Sequence, residues 1–223
     1  MATHQAVERS MLDLALAQAA RVAEHGLAGH PHVARLATAS GPQAARDLAD
    51  AVHLLCSLYG RHPGLVELAL GHCPAGALRD WLLASSGAFE RERLYLVRLT
   101  AAVGPMPSTP AHSETEATLV AQRHALETLA RSERGGCALG AATALVGDWP
   151  AIRGVLVRAA DRAGMDVPAS SLPDAGSLIA VIGHGAASPA SERGLGFGGE
   201  QLLLQNRGLF DLLEARVEAR GDY

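Results

Sequence analysis

The chain has 223 residues, 48% hydrophobic and 19% charged, enough for one sizeable core and a single domain over residues 1–223. Its net charge of −4 gives no general pull toward nucleic acid or an anionic membrane, and its longest uncharged run is too short to span a bilayer. The opening residues lack the pattern of a secretory signal, and Cys56, Cys73 and Cys137 form neither a C-x-x-C pair nor a disulfide framework, so a reduced, cytoplasmic protein is expected.

Aromatic residues make up only 4% of the chain, so alanine and leucine must fill most of the core. Helix signals dominate. Val7 to Glu24 repeats apolar residues at three- and four-residue spacing and stops at His25-Gly26. A short helix is expected after His30-Pro31, and a long one from Gln43 to Tyr59. Leu65 to Leu70 reads as a short helix, and Pro74 to Gly76 leads into a long amphipathic one from about Ala77 to Val103. The run from Gly104 to Pro110 is the clearest breaker. Ser113 and Glu116 then have capping-box spacing, opening a helix to about Arg134.

Gly135-Gly136 precedes a small-residue helix from Cys137 to Val146, and Asp148 reads as the N-cap of another from Trp149 to Ala163. Leu172 to Ile182 is strand-like in composition, but its surroundings favour a helix. Residues 183–199, rich in Gly, Ser and Pro, read as a flexible loop. The last helix, Glu200 to Ala219, buries Leu202, Leu203, Leu209, Phe210, Leu213 and Val217. The sum is an all-α bundle of about six to eight helices. Gly140 to Ala144 are all small, which lets neighbouring backbones approach closely and marks this helix as the centre. Gly140→Leu should then overpack the core and cost about 1–3 kcal/mol.

The sharpest candidate residue is Glu92. On a helical wheel it shares a face with Trp81, Phe89, Leu96 and Leu99. A bare carboxylate there is strongly disfavoured and requires an arginine, a hydrogen-bonding cage, a proton or a metal. Arg46, Arg123, Arg153 and Arg158 are the possible ion-pair partners. The functional alternative is a ligand or acid/base group inside the bundle.

Two further stripes carry titratable groups. Asp50 and His53 have i, i+3 spacing beside Arg46 and Ser57, so their side chains can converge on a metal or orient one another. The plain reading is one solvated stripe on a mostly buried helix. His124 and Glu127 repeat the spacing in reverse, alongside Glu116, Arg123 and Arg131, and the same plain reading applies. With Glu92, these residues invite comparison with ferritin-like carboxylate-bridged iron or manganese sites. Of that ligand set, Glu92, Asp50, His53, Glu116 and His124 are the available members, but the second Glu-x-x-His is missing. No metal or other cofactor is therefore expected.

His25, His62 and His184 fall near helix C-termini, where a cation interacts favourably with the dipole. His72-Cys73-Pro74 lacks the second pair a zinc site needs. Cys137 is expected to be an inert buried thiol. Gly194 to Gly199 precedes a helix, but it has neither the P-loop lysine nor dinucleotide spacing, and a linker is the plainer reading.

From Gly135 through Gly140-Ala141-Ala142 to Asp148-Trp149, the wording resembles uncharacterised bacterial all-helical proteins. The resemblance covers about the middle third of the chain and implies no activity. The reading that emerges is a helical binding or regulatory module, with a homodimer contact available through the helix at 200–219. The alternative is an enzyme with an interior polar site near Glu92 and His53, including a ferritin-like oxidoreductase.

Overall fold

The computed structural model describes residues 2–71, 73, 75–185 and 188–221. Helices run over Ala2–His25 (α1), Pro31–Ala37 (α2), Gly41–Tyr59 (α3), Leu65–Gly71 (α4), Ala77–Ala102 (α5), His112–Ala130 (α6), Cys137–Ala163 (α7), Ala175–Gly185 (α8) and Pro189–Gly221 (α9). A short 3-10 turn, Leu27–Gly29, links α1 to α2. No strand occurs among the described residues, so the fold is all-α, with slightly more helices than the six to eight expected.

The small-residue helix is indeed central. α7 touches each of the other eight helices, and Gly140 through Val146 are all buried. It is also longer than its sequence suggests. Asp148 does not cap a second helix, because α7 runs without a break from Cys137 past Pro150 to Ala163. Pro150 has no N–H to give the Val146 carbonyl. Packing on every side of α7 outweighs that local loss.

The expected flexible loop at 183–199 is the clearest correction. Residues 183–185 close α8, and residues 189–199 form the first three turns of α9; Ala186 and Ala187 lie outside the described residues. The glycines serve helix-to-helix contact rather than flexibility. A Cβ on Gly140 would sit 1.9 Å from the Leu195 carbonyl oxygen, and one on Gly136 2.1 Å from that of Ser191. From the other side, a Cβ on Gly194 would meet the Gly135 carbonyl at 2.0 Å, and one on Gly198 that of Cys137 at 2.0 Å. Two glycine pairs, each spaced by four residues, thus press two backbones together. Each helical glycine costs about 1 kcal/mol relative to alanine in propensity. The buried seam of Cys137, Leu195, Leu202 and Phe210 offsets it.

Other local differences have simple causes. α6 starts at His112 behind Ala111, whose φ of 57° is left-handed, so Ser113 already lies inside the first turn and cannot cap it. The Leu172–Ile182 stretch resolves as α8, a helix starting at Ala175. His72 and Pro74 lie outside the described residues. In α9, Leu202, Leu203, Leu209, Phe210 and Leu213 are buried within the chain. Those side chains are not available to a second copy. No described helix is long and apolar enough to cross a membrane.

Candidate functional site

Glu92 is buried at the heart of the bundle and fully accounted for. Arg153 of α7 donates to its Oε1, and the Trp149 indole N–H donates to its Oε2 at 3.1 Å. Arg153 also donates to the Pro168 carbonyl and stands 5.4 Å from the Tyr95 ring centroid. Of the four arginines named as partners for Glu92, Arg153 fills the role. A groove of about 430 Å³ passes this pair between α5 and residues 165–169, but the Glu92 charge facing it is already matched.

Asp50 overturns its plain reading as part of a solvated stripe. Its side chain is 0% exposed. Arg216 of α9 grips both oxygens, Nη2 to Oδ1 at 2.8 Å and Nε to Oδ2 at 2.9 Å. Arg220 adds a third bond to Oδ2 at 2.5 Å and a fourth to Asp47 Oδ1 at 2.9 Å. Thr109 accepts from both guanidinium groups and Thr115 from Arg216, at 3.0–3.2 Å, while the buried Arg220 Nε–H has no partner among the described residues. Two aspartates and two arginines form a charge-balanced clamp that fastens the end of α9 to α3.

The other sequence candidates do not join Glu92. His53 Nε2 donates to the Gly104 carbonyl at 2.8 Å, just beyond the far end of α5 and about 18 Å along that helix from Glu92. His124, Glu116 and Glu127 are exposed on α6, with Glu116 3.3 Å from His112. Glu127 and Arg123 border a small cavity of about 50 Å³ alongside the Glu67–Arg93 pair. Burial resists ionisation of Glu67, but hydrogen bonds from Arg93, Gly64 and Ser86 and the Arg93 charge hold its carboxyl below the usual range. Among the described residues no three His, Cys, Asp or Glu side chains gather as metal ligands would. The ligand set Asp50, His53, Glu92, Glu116 and His124 is thus dispersed.

A second buried carboxylate, on α7, has a different environment. Asp148 is 3% exposed. The Leu27 N–H donates to Oδ1 and Asn206 Nδ2 to Oδ2, both at 2.7 Å. Asn206 in turn accepts a hydrogen bond from the Tyr59 hydroxyl, whose ring meets Trp149 edge-on at 5.5 Å. Phe89 meets the other side of Trp149 at 5.0 Å. No cation among the described residues touches Asp148. Burial pushes its carboxyl above the usual range, against the hydrogen bonds from Asn206 and Leu27 and the Arg207 charge. Burial, and then the Asp148 charge, raise the Tyr59 phenol as well.

Asp148 borders a groove of about 340 Å³ between α1, α7 and α8. Ala19, Val22, Ala23, Ala151 and Leu178 are among its walls, and Gln18 and Thr143 join Asp148 as its polar groups. A mostly apolar concavity with a few polar groups and a perturbed carboxylate has the general character of a ligand site. Sequence reasoning missed Asp148 because Gly147 before it and Pro150 after it suggested a helix boundary. Continuing the wheel through Pro150 would have found it, since Leu145 and Ile152 flank it as Phe89 and Leu96 flank Glu92.

His30 and His32 were missed for the same reason, as both lie beside a helix start. His30 caps α2 by accepting from the His32 N–H and pairs with Asp211 at 3.1 Å. Burial, and next the Arg35 charge, lower the pKa of His32 to about 4.

Residues 22–221 match a family of unknown function, DUF6975, and the chain belongs to that family. Neither a curated protein nor a solved structure matches it.

Proposed function

We propose that this member of a family of unknown function is a small-molecule binding module whose site is the groove between α1, α7 and α8. The observation that carries the reading is Asp148. It is a buried carboxylate with no cation in contact among the described residues, and it borders an apolar concavity large enough for a small ligand. Glu92 also borders a groove, but Arg153 already matches its charge, as Arg216 and Arg220 match that of Asp50.

The ligand is mostly apolar, with one polar end directed at Asp148. Leu178 of α8 and Val22 of α1 are the side chains that would close over it. Binding there fastens α1 and α8 to the central helix, which is how occupancy would be transmitted in a regulatory module.

The test uses the full chain and the neutral environment-sensitive dye prodan. Fluorescence should rise on binding the wild type and stay flat with Ala151→Phe, whose ring fills the groove, while the thermal midpoint holds. Equal enhancement with the filled variant would place the dye elsewhere and overturn the reading.

A further inference from the structure

The groove at Asp148 is chemically one-sided. Among the described residues lining it, Asp148 carries the only formal charge. The two polar side chains beside it have already committed their hydrogens. Gln18 Nε2 points at the Gly140 carbonyl at 3.1 Å and at Thr143 Oγ1 at 3.4 Å. The Thr143 hydroxyl points at the Leu139 carbonyl at 2.9 Å and that of Gly140 at 3.1 Å. The Gln18 carbonyl is taken by Arg21 at 2.7 Å.

Asp148 itself still has acceptor capacity. A carboxylate offers about four lone-pair directions, and the Leu27 N–H and Asn206 use two of them. The polar end of the groove therefore offers the Asp148 carboxylate as an acceptor and, among the described residues lining it, no free side-chain donor. A carboxylate or phosphate would meet like charge there, whereas an ammonium would meet a carboxylate that no cation among the described residues contacts.

We infer that the groove selects an amphipathic primary amine, its ammonium on Asp148 and its apolar chain between α1 and α8. This rests on the binding-module reading above. A charge-assisted hydrogen bond is about twice as strong as a neutral one, and in an enclosed site the difference is large. An alkylammonium should therefore outcompete the alcohol of equal length by about tenfold or more.

The experiment is displacement of prodan from the wild-type chain at pH 7.5 by n-octylamine, 1-octanol and octanoate, repeated with Asp148→Asn. Octylammonium should displace the dye at roughly a tenth of the octanol concentration, with octanoate weakest. In Asp148→Asn the amine and the alcohol should become equivalent while both still compete. Octanol matching the amine on the wild type, or a preference surviving in Asp148→Asn, overturns the amine assignment and leaves the groove standing. Failure of dye and all three ligands to bind overturns both readings. Because the ranking is read on the wild type, a variant that fails to fold does not rescue the inference.

Discussion

Asp50 and Asp148 are both buried aspartates, yet the bundle treats them oppositely. Asp50 is enclosed by two arginines that satisfy both of its oxygens, and it closes the seam between α3 and α9. Asp148 is satisfied by an amide and a backbone N–H, no cation among the described residues is in contact with it, and it borders a groove. Burial alone therefore does not mark a site in this fold. What distinguishes the two is whether the protein itself supplies the countercharge, since a buried pair is closed chemistry and a buried unpaired carboxylate leaves a demand for a partner. Glu92, the most conspicuous residue in the sequence, belongs with Asp50.

The largest expected effect tests the clamp. Asp50→Ala leaves Arg216 and Arg220 buried without their shared carboxylate and should cost about 3–5 kcal/mol in urea unfolding. A loss under about 1 kcal/mol would mean that the clamp is solvated and that the contrast with Asp148 is false.

A comparable cost is expected at the glycine seam, which is independent of charge. The sequence suggests about 1–3 kcal/mol for Gly140→Leu, and a Cβ 1.9 Å from the Leu195 carbonyl oxygen puts it at the upper end or beyond. An unchanged thermal midpoint would show that α7 and α9 separate freely.

His32 extends the comparison to a buried base. Its folded pKa of about 4 lies below the ordinary histidine value of 6.5. A base with a depressed folded pKa contributes stability above its unfolded value and loses it as pH falls toward the folded value. Unfolding free energy should therefore drop between pH 6.5 and 4 by up to about 3 kcal/mol from this group. His32→Asn, which keeps an acceptor for Arg35, should flatten that part of the profile. An identical slope in the variant would assign the drop to other groups.

The smallest effect is expected at Asp148 itself. Asp148→Asn should change stability by about 1 kcal/mol or less at neutral pH, because no buried cation is orphaned. The carboxyl is raised, so the stability it contributes is greatest below the unfolded value and is lost as pH rises through the folded one. The gap between wild type and variant should then narrow from pH 4 upward in paired urea titrations. A variant as damaging as Asp50→Ala would erase the distinction between the two aspartates.

The sequence by itself determined the helices and the central one among them. Their apolar spacing and breakers are local, and a run of small residues such as Gly140 to Ala144 only profits a helix packed on every side. It also determined that Glu92 needed a partner and that Arg153 was one of four available. Tertiary structure decided the rest. Asp50 reads as one polar residue on a narrow stripe, and only α9, arriving from 166 residues away, turns that stripe inward and supplies the arginines. Gly194 and Gly198 read as part of a loop because helix propensity is counted one residue at a time, while their value lies in close approach to the Gly135 and Cys137 carbonyls. Asp148 lies between a glycine and a proline, two local breakers, and its burial follows from packing around α7 that no local pattern records. Charges are legible along a chain, but whether each is answered depends on which helices become neighbours, and that is settled by long-range packing.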